Sequence, residues 1–433
     1  MSDALVIALS LMVVVLVIGT LTPLRRRWRL LGAGWAAVAV GIIIVAATEP
    51  RWILIPLALS STLGLLTGVI RSRADAAQRG RSSLVSAAAT LAGITAVGGA
   101  ALAAVAVWAL PTPNLPRPTG DFAVGTSILQ WDSGLPEPGT ADPADSRVLV
   151  AQLWYPAPEG GSARRYLPDS IVPDALANQA GLPEFLLDGV RFGRTNSVAD
   201  AAMADGDHPL VLFSPGLGGV RTQNSAWAED LASHGFIVAA VDHPYDSAAV
   251  VLDDGTIIRS SLRTTGDDAL DQQIADELAE SRADDLIAAL DQLQQHIATP
   301  RVVAAGHSIG GAAAIIAATN DDRFDAVISI DGLPRGGQPR VPILAIVAGG
   351  GTGSIESDAR YDAALTEVLA RCGTRRVAPG AQHLSFTDAA LFLPPLPSLI
   401  GEGGRTAGIE FARTETLSFL ADTLRTGDDR CGP

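Results

Sequence analysis

The chain has 433 residues, a formal net charge of −15 and no lysine. Nine arginines stand against three acidic residues up to Leu110, whereas the rest of the chain carries 22 arginines and 43 acidic residues. This length allows two or three domains, and the acidic character of the second part argues against nucleic acid as a partner.

Four segments in the first part are long and apolar enough to span a bilayer as helices. They are Ala4–Leu21, Leu30–Thr48, Trp52–Ile70 and Leu84–Leu110, and none contains a charged residue. A cleaved signal peptide normally begins with basic residues, and Ser2 and Asp3 are not basic. We therefore expect the first segment to be a retained helix and residues 1–110 to form a four-helix transmembrane domain.

The loops between these segments predict the orientation of the chain. Arg25–Arg29 and Arg71–Arg81 carry four arginines each, whereas Glu49–Arg51 carries one. Arginine-rich loops stay in the cytoplasm. We expect a multi-pass cell-membrane protein in which the part after Leu110 is extracytoplasmic. Cys372 and Cys431 then lie where a disulfide can persist, although two cysteines so far apart do not establish a pairing.

A proline-rich segment, residues 111–120, is predicted to be a stiff linker to a second domain, residues 121–433. In that domain predicted strands alternate with predicted helices. The stretches that contain predicted strands include Arg147–Ala157, His208–Gly219 (a strand that runs into a glycine-rich loop), Phe236–Pro244, Phe324–Asp331 and Val341–Gly349. The predicted helices include Asn224–Gly235, which glycine ends, and a long amphipathic stretch with Leu270, Ile274, Leu278, Leu286, Leu290 and Leu293 on a shared face. The alternation indicates an α/β fold with a mostly parallel sheet and helices on both faces.

The stretch RVVAAGHSIGGAAAIIAAT, residues 301–319, contains the motif Gly-x-Ser-x-Gly between a predicted strand and a predicted helix. A serine on such a sharp turn holds its hydroxyl clear of the sheet, and small neighbours such as Gly306 and Gly310 avoid collisions. This motif predicts an α/β-hydrolase fold with Ser308 as the nucleophile. In that fold the partners follow the serine in the order acid, then histidine.

Only one of the six histidines, His383, follows Ser308, so it is the candidate base. Asp331 directly follows a predicted strand, where an orienting carboxylate belongs. Glu356 and Asp358, after the next strand, are alternative acids, while Asp321, Asp322 and Asp325 precede the strand that ends at residue 330. An oxyanion hole needs two backbone N–H groups. We assign them to Ile309 and to Leu217 in the loop SPGLGG, with Gly216 as an alternative to Leu217.

Several stretches resemble the platelet-activating factor acetylhydrolases of the plasma or isoform II type. They are LVLFSPGLGGVRTQNSAWAEDLASHGFIVAAVDHPYDS (210–247), AAGHSIGGAAA (304–314), SIDG (329–332) and GAQHLSF (380–386). The resemblance implies an α/β-hydrolase with the triad Ser308, Asp331 and His383 and with Leu217 and Ile309 as oxyanion donors. Pro215-Gly216 stands where the family usually has His-Gly, and the membrane part is unlike the secreted forms.

The sequence therefore predicts a serine esterase that needs no metal or organic cofactor. By the resemblance, its substrates are short-chain or oxidised acyl esters, including phospholipids. Alternatives are a polyester or xenobiotic carboxylesterase, a cell-envelope acyltransferase, and a non-enzymatic membrane-linked binding module. The segment Leu391–Ile400 is either an apolar lip against the bilayer or buried packing.

Overall fold

The structure is a computed structural model that describes residues 2–21, 28–76, 83–142, 144–158, 161–350, 359–425 and 431. Its contacts group the chain into two compact units. One unit comprises residues 1–112 and 183–192, and the other comprises residues 113–182 and 193–433. This grouping differs from the predicted domain boundaries in two places, the proline-rich segment and the short segment 183–192.

The first unit contains four long apolar helices. They are α1 (Ser2–Leu21), α2 (Trp28–Thr48), α3 (Leu54–Ala76) and α4 (Ser83–Ala109). By length and composition all four are candidate membrane spans, over Asp3–Leu21, Leu30–Thr48, Leu54–Arg73 and Val85–Ala109. The predicted segments thus match the helices to within a few residues. The arginine loop at residues 25–27 and part of the second one, residues 77–82, lie outside the described residues.

Small residues let these four helices approach closely. Gly99 on α4 faces Ser60 and the backbone of Pro56 on α3, and a side chain at Gly64 would collide with Trp35 and Val17. Association of helices in lipid depends on such close packing, because lipid tails are as apolar as the side chains. The glycines therefore set the packing of the bundle.

A buried ion pair ties several ends of the helices together. Arg51, before α3, donates to the Asp3 carboxylate at 2.5 Å and to the Leu110 carbonyl at 2.6 Å. The Asp188 carboxylate accepts from the Trp52 amide at 2.7 Å. Burial of an arginine requires partners of this kind. The contact with Asp188 also explains why residues 183–192 group with the first unit.

The second unit contains a ten-stranded sheet in the order β12-β11-β10-β9-β5-β6-β2-β1-β4-β3. Its strands are β1 (Ala123–Pro136), β2 (Ser146–Ala157), β3 (Ala163–Arg165), β4 (Arg194–Ala199), β5 (Leu210–Ser214), β6 (Ile237–Asp242), β9 (Val302–His307), β10 (Ala326–Ile330), β11 (Ile343–Gly349) and β12 (Gly373–Pro379); β7 (Ala249–Val251) and β8 (Ile257–Arg259) form a separate hairpin. The six strands from β12 to β6 are parallel, whereas β2 pairs antiparallel with both β6 and β1.

Helices cover both faces of this sheet. They are α5 (Ile171–Gln179), α6 (Ser225–Ser233), α7 (Asp268–Gln294), α8 (Ile309–Asn320), α9 (Ala359–Leu369), α10 (Pro397–Ile400) and α11 (Ala407–Arg425). Leu210 and Leu212 of β5 pack with α7 and α8, while Val211 and Phe213 pack with α6 and α11. Successive side chains of a strand point to opposite faces, so a strand covered on both sides is apolar throughout. The predicted α/β architecture is confirmed.

The proline-rich segment is packed onto the second unit and is not a free spacer. Leu115 is buried, and Asn114 forms a β-bridge with Arg194. The Thr119 amide donates to the Asp230 carboxylate at 2.8 Å, and the Gly120 amide donates to the Ser233 hydroxyl at 2.9 Å. The prolines predict that the segment is stiff, but the side chains of Asp230 and Ser233 in α6 determine where it binds.

Cys372 and Cys431 form a disulfide, with Cα atoms 5.8 Å apart. The Cys431 amide also donates to the Arg340 carbonyl at 3.0 Å. The pairing that the sequence left open is therefore present, and it attaches residue 431 beside the start of β12.

Candidate active site

Ser308 lies on a strained turn between β9 and α8. Its φ of 57° and ψ of −125° place it in a region that residues other than glycine rarely occupy. The Ser308 amide donates to the Ile330 carbonyl at 2.9 Å, which holds the turn against the end of β10. A side chain at Gly306 would collide with the backbone of Gly310, and one at Gly310 with the Ser214 carbonyl. The two glycines therefore permit the sharp strand-to-helix turn that the motif predicts.

Asp331 and His383 are hydrogen-bonded to each other. The distance from the Asp331 Oδ2 to the His383 Nδ1 is 2.5 Å. The other carboxylate oxygen of Asp331 accepts from the Ala348 amide at 2.8 Å, and the side chain is fully buried. A carboxylate only accepts hydrogen bonds, so His383 carries its proton on Nδ1 and keeps a lone pair on Nε2. This is the tautomer that a general base requires.

The other acids considered from the sequence do not share this position. Asp325 accepts from the Val302 amide at 2.8 Å and pairs with Arg301, so it lies at the start of β9, at the opposite end of the sheet from Ser308. Asp321 pairs with the exposed Arg323. Glu356 and Asp358 lie outside the described residues.

His307, the residue before Ser308, connects the elbow to the loop of His383. The two imidazole rings are 4.5 Å apart, and the His307 Nε2 lies 3.1 Å from the His383 carbonyl oxygen. On its other side the His307 Nδ1 is 2.9 Å from the Gln223 amide nitrogen. His307 thus donates from Nε2 and accepts at Nδ1. Burial, and secondly the neighbouring charge of His383, lower the pKa of His307 to about 3.

The loop SPGLGG lies directly against this turn. Gly216 faces His307 and Ser308 so closely that a side chain there would press on the imidazole. The Gly216 amide donates to Gln223 and the Gly218 amide to Asp246. The amide of Leu217 has no acceptor among the described residues.

Ile309 is the first residue of α8, and the first amides of a helix have no intrahelical acceptor. The two amides assigned from the sequence to an oxyanion hole, Leu217 and Ile309, are therefore both available to a ligand.

A second hydrogen-bonded Ser-His-Asp chain lies at the carboxyl ends of β5 and β6 and has a different character. Ser214 Oγ is 2.8 Å from the His243 Nε2, and the His243 Nδ1 is 2.7 Å from the Asp285 carboxylate. All three side chains are fully buried, and Arg147 completes the pairing of Asp285. Burial lowers the pKa of His243. No substrate reaches such a group, so we interpret it as structural.

The sequence did not indicate His307, Gln223 or Arg282. His307 occupies the variable position of the motif, and its place next to the nucleophile was the one available signal. Arg282 appears in the sequence as one charge within an amphipathic helix, yet it is fully buried below the SPGLGG loop.

The low pKa of the buried His307 predicts how the stability of the fold depends on pH. Its pKa is about 3 in the folded chain and about 6.5 when unfolded, so between these values only the unfolded chain binds the proton. The contribution of His307 to the free energy of unfolding is then fully present above pH 6.5 and is lost as the pH decreases towards 3. Between pH 7 and pH 5 the free energy of unfolding decreases by about 2 kcal/mol through this group. In His307→Gln, the unfolding midpoint should fall less over this interval than in the unmodified chain, whatever its absolute value. An unchanged pH slope would contradict the assignment.

The strained serine turn after a central parallel strand, with a paired aspartate and histidine on later loops, defines an α/β-hydrolase. Comparison with known proteins agrees. The family described as Platelet-activating factor acetylhydrolase, isoform II matches residues 111–256, and the Prolyl oligopeptidase family matches residues 254–334.

Individual relatives point to the same family. The platelet-activating factor acetylhydrolase of Canis lupus familiaris is 27% identical over 50% of this chain and 55% of its own. A probable 1-alkyl-2-acetylglycerophosphocholine esterase of Arthroderma benhamiae is 28% identical over 50% of this chain and 58% of its own. The ferulic acid esterase of Streptomyces cinnamoneus has 27% identity and a TM-score of 0.59, covering 74% of this chain and 93% of that structure.

The chain thus has an α/β-hydrolase fold and is similar over part of its length to the platelet-activating factor acetylhydrolases, isoform II. It spans just over half the length of the curated relatives it matches.

Proposed function

We propose that this chain is a serine esterase of the membrane that hydrolyses short-chain or oxidised acyl esters, including those of phospholipids. The observation that carries the proposal is the hydrogen bond between Asp331 and His383 beside the strained Ser308. The names of the relatives support an acyl ester of a glycerophospholipid as the substrate class.

In the proposed reaction, the His383 Nε2 takes the proton of the Ser308 hydroxyl as the serine oxygen attacks the ester carbonyl. Asp331 stabilises the imidazolium that forms, and the amides of Leu217 and Ile309 stabilise the oxyanion. His383 then gives the proton to the leaving alcohol, and the acyl group stays on Ser308. Water, deprotonated by His383, attacks this acyl-enzyme and releases the carboxylic acid and free Ser308.

Selectivity for the acyl chain is the first test of the substrate class. Each buried CH₂ gives about 0.8 kcal/mol, roughly fourfold in rate or affinity, so an open apolar site favours long chains. We propose that Gln179, an exposed residue at the end of α5, limits the room for the acyl chain, because it lies against Gly218 beside Leu217. We expect kcat/KM of the full chain in detergent to fall from acetyl to palmitoyl esters and to be unaffected by EDTA. A rise towards palmitoyl, or loss of activity in EDTA, would contradict the proposal.

The Gln179→Ala variant tests whether this side chain limits the acyl chain. It removes the side chain that packs on Gly218 and leaves the catalytic residues unchanged, so longer acyl chains should be accepted better while acetyl ester hydrolysis stays similar. A feruloyl ester belongs in the same panel. The structural similarity to the ferulic acid esterase of Streptomyces cinnamoneus supports a xenobiotic carboxylesterase as the second candidate function. An added alcohol acceptor distinguishes acyl transfer from hydrolysis by its products. The binding-module alternative predicts no turnover of any ester.

The apolar segment 391–400 is partly buried and partly exposed. Leu391, Phe392 and Ile400 are buried, whereas residues 396–398 are exposed. Buried packing therefore describes the two ends of the segment, and the interpretation as an apolar lip stays a prediction for its exposed middle.

The proposed location is the cell membrane, with the second unit outside the cytoplasm. The arginine-rich loops support this orientation, and the disulfide between Cys372 and Cys431 is typical of an oxidising compartment. In full-length chains, green fluorescent protein inserted near Gln78 should fluoresce, and alkaline phosphatase fused after Pro433 should be active. Exchanging the two reporters is the control, and both should then be silent. If the exchanged reporters were active instead, the chain would have the opposite topology to the one proposed.

A further inference from the structure

Arg282 lies in the middle of α7 with its side chain fully buried beneath the SPGLGG loop. The Nη1 donates to the Pro215 carbonyl and the Nη2 donates to the Gly216 carbonyl at 3.1 Å. The Nε donates to the Asp246 carboxylate at 2.5 Å. One planar guanidinium thus binds two successive backbone carbonyls and one carboxylate, and its Nη1 also lies 3.3 Å from the Ser214 hydroxyl, which matches the fixed donor fork of arginine.

The direction of these carbonyls determines the direction of the amides. In a trans peptide the C=O and the N–H lie in one plane and point in opposite directions. The Pro215 carbonyl points to Arg282, and the amide of the same peptide, that of Gly216, points to Gln223 next to His307. The Gly216 carbonyl accepts from Arg282 and, at 2.8 Å, from the Gly219 amide, so the Leu217 amide of the same peptide must point away from the arginine as well.

Asp246 holds the loop at its next peptide. Its Oδ1 accepts from the Gly218 amide at 3.2 Å while its Oδ2 binds Arg282. The Leu217 and Gly218 amides belong to peptide planes joined at the Leu217 Cα, and Gly218, with a φ of +63°, turns the chain onward from there. Of these three consecutive amides, the one at Leu217 is therefore the amide left facing away from the buried ion pair.

We infer that Arg282, with Asp246 as its counter-ion, is a positioning residue that aims the Leu217 amide at the oxyanion. The inference rests on the proposed esterase function. Arg282 touches no substrate, and it acts by fixing two peptide planes before the reaction begins. Such preorganisation of a hydrogen-bond donor is what gives an oxyanion hole its effect on rate.

A cavity makes this inference testable by chemical rescue. It has a volume of about 210 Å³, and its lining includes Arg282, Asp246, Ser281 and Arg147. In Arg282→Ala, an added guanidinium ion can therefore enter beside Asp246 and bind the two carbonyls. Arg147 offers a matched control, because it is buried, lines the same cavity and pairs with Glu137 and Asp285, yet it forms no hydrogen bond to residues 214–219.

The experiment measures kcat and KM for an acetyl ester with the full chain in detergent, with and without guanidinium. For Arg282→Ala we expect kcat to fall about 10²–10³-fold, as for loss of an oxyanion donor, while KM changes less than about threefold. Guanidinium should restore much of the lost kcat. Arg147→Ala should be less stable, but its kcat should be close to that of the unmodified chain and insensitive to guanidinium.

Arg282→Lys provides a second variant if Arg282→Ala does not fold. Lysine keeps the charge beside Asp246 but presents no planar fork, so kcat should still fall while KM is retained. A full kcat in either variant would overturn the inference, as would equal guanidinium rescue of Arg147→Ala. If the unmodified chain hydrolyses no ester at all, the proposed function fails first, and the two failures are thereby distinguished.

Discussion

Ser308→Ala is expected to abolish ester hydrolysis, with a fall in kcat of about 10⁴–10⁶-fold, because alanine has no oxygen to attack the carbonyl. The turn itself should survive, since its hydrogen bond to Ile330 comes from the backbone amide. The measurement is the steady-state rate on an acetyl ester, together with the unfolding midpoint.

Ser418→Ala is the matched control for this variant, because Ser418 is an exposed serine on α11. It should retain full activity. Substantial hydrolysis by a folded Ser308→Ala chain would show that the nucleophile is another residue.

Asp331→Asn is expected to lower kcat by about 10⁴-fold through the wrong histidine tautomer. One carboxylate oxygen of Asp331 already accepts from the Ala348 amide. An asparagine would keep its oxygen there and turn its NH₂ group towards the His383 Nδ1. His383 would then have to accept at Nδ1 and carry its proton on Nε2, where the base is needed.

Two further carboxylates are the controls. Asp325→Asn changes an acid at the far end of the neighbouring strands, and Asp358→Asn tests the alternative acid from the sequence. Both should retain most of the activity, measured as kcat under the same conditions as for Asp331→Asn. A severe loss of activity in Asp358→Asn with a mild loss in Asp331→Asn would show that Asp358, and not Asp331, is the acid of the triad.

Much of this arrangement could be predicted because it depends on local sequence. The strand before Ser308 is apolar throughout and the helix after it contains no breaker, so the turn between them was evident. The chain order of α/β-hydrolases selected His383, and the position of Asp331 directly after β10 selected the acid. Each of these inferences uses neighbours in sequence or the common end of parallel strands.

The contacts that the sequence did not predict join residues distant in the chain. Arg282 is 66 residues from the Gly216 carbonyl that it binds, and no periodicity in α7 indicates which turn of the helix lies under that loop. Gln223 and His307 are 84 residues apart. The contacts of the proline-rich segment were missed for a related reason, because its composition describes stiffness and not the Asp230 and Ser233 side chains that bind it.

The most direct test of the central claim is to locate the covalent intermediate. The full chain in detergent is treated with a fluorophosphonate, and separately acid-quenched during turnover of an acetyl ester, and its peptides are mapped by mass spectrometry. We predict one phosphonyl group per chain on Ser308, an acetyl group on the same residue, and neither adduct in Ser308→Ala. Adducts on another residue, or ester hydrolysis without any adduct at Ser308, would contradict the account.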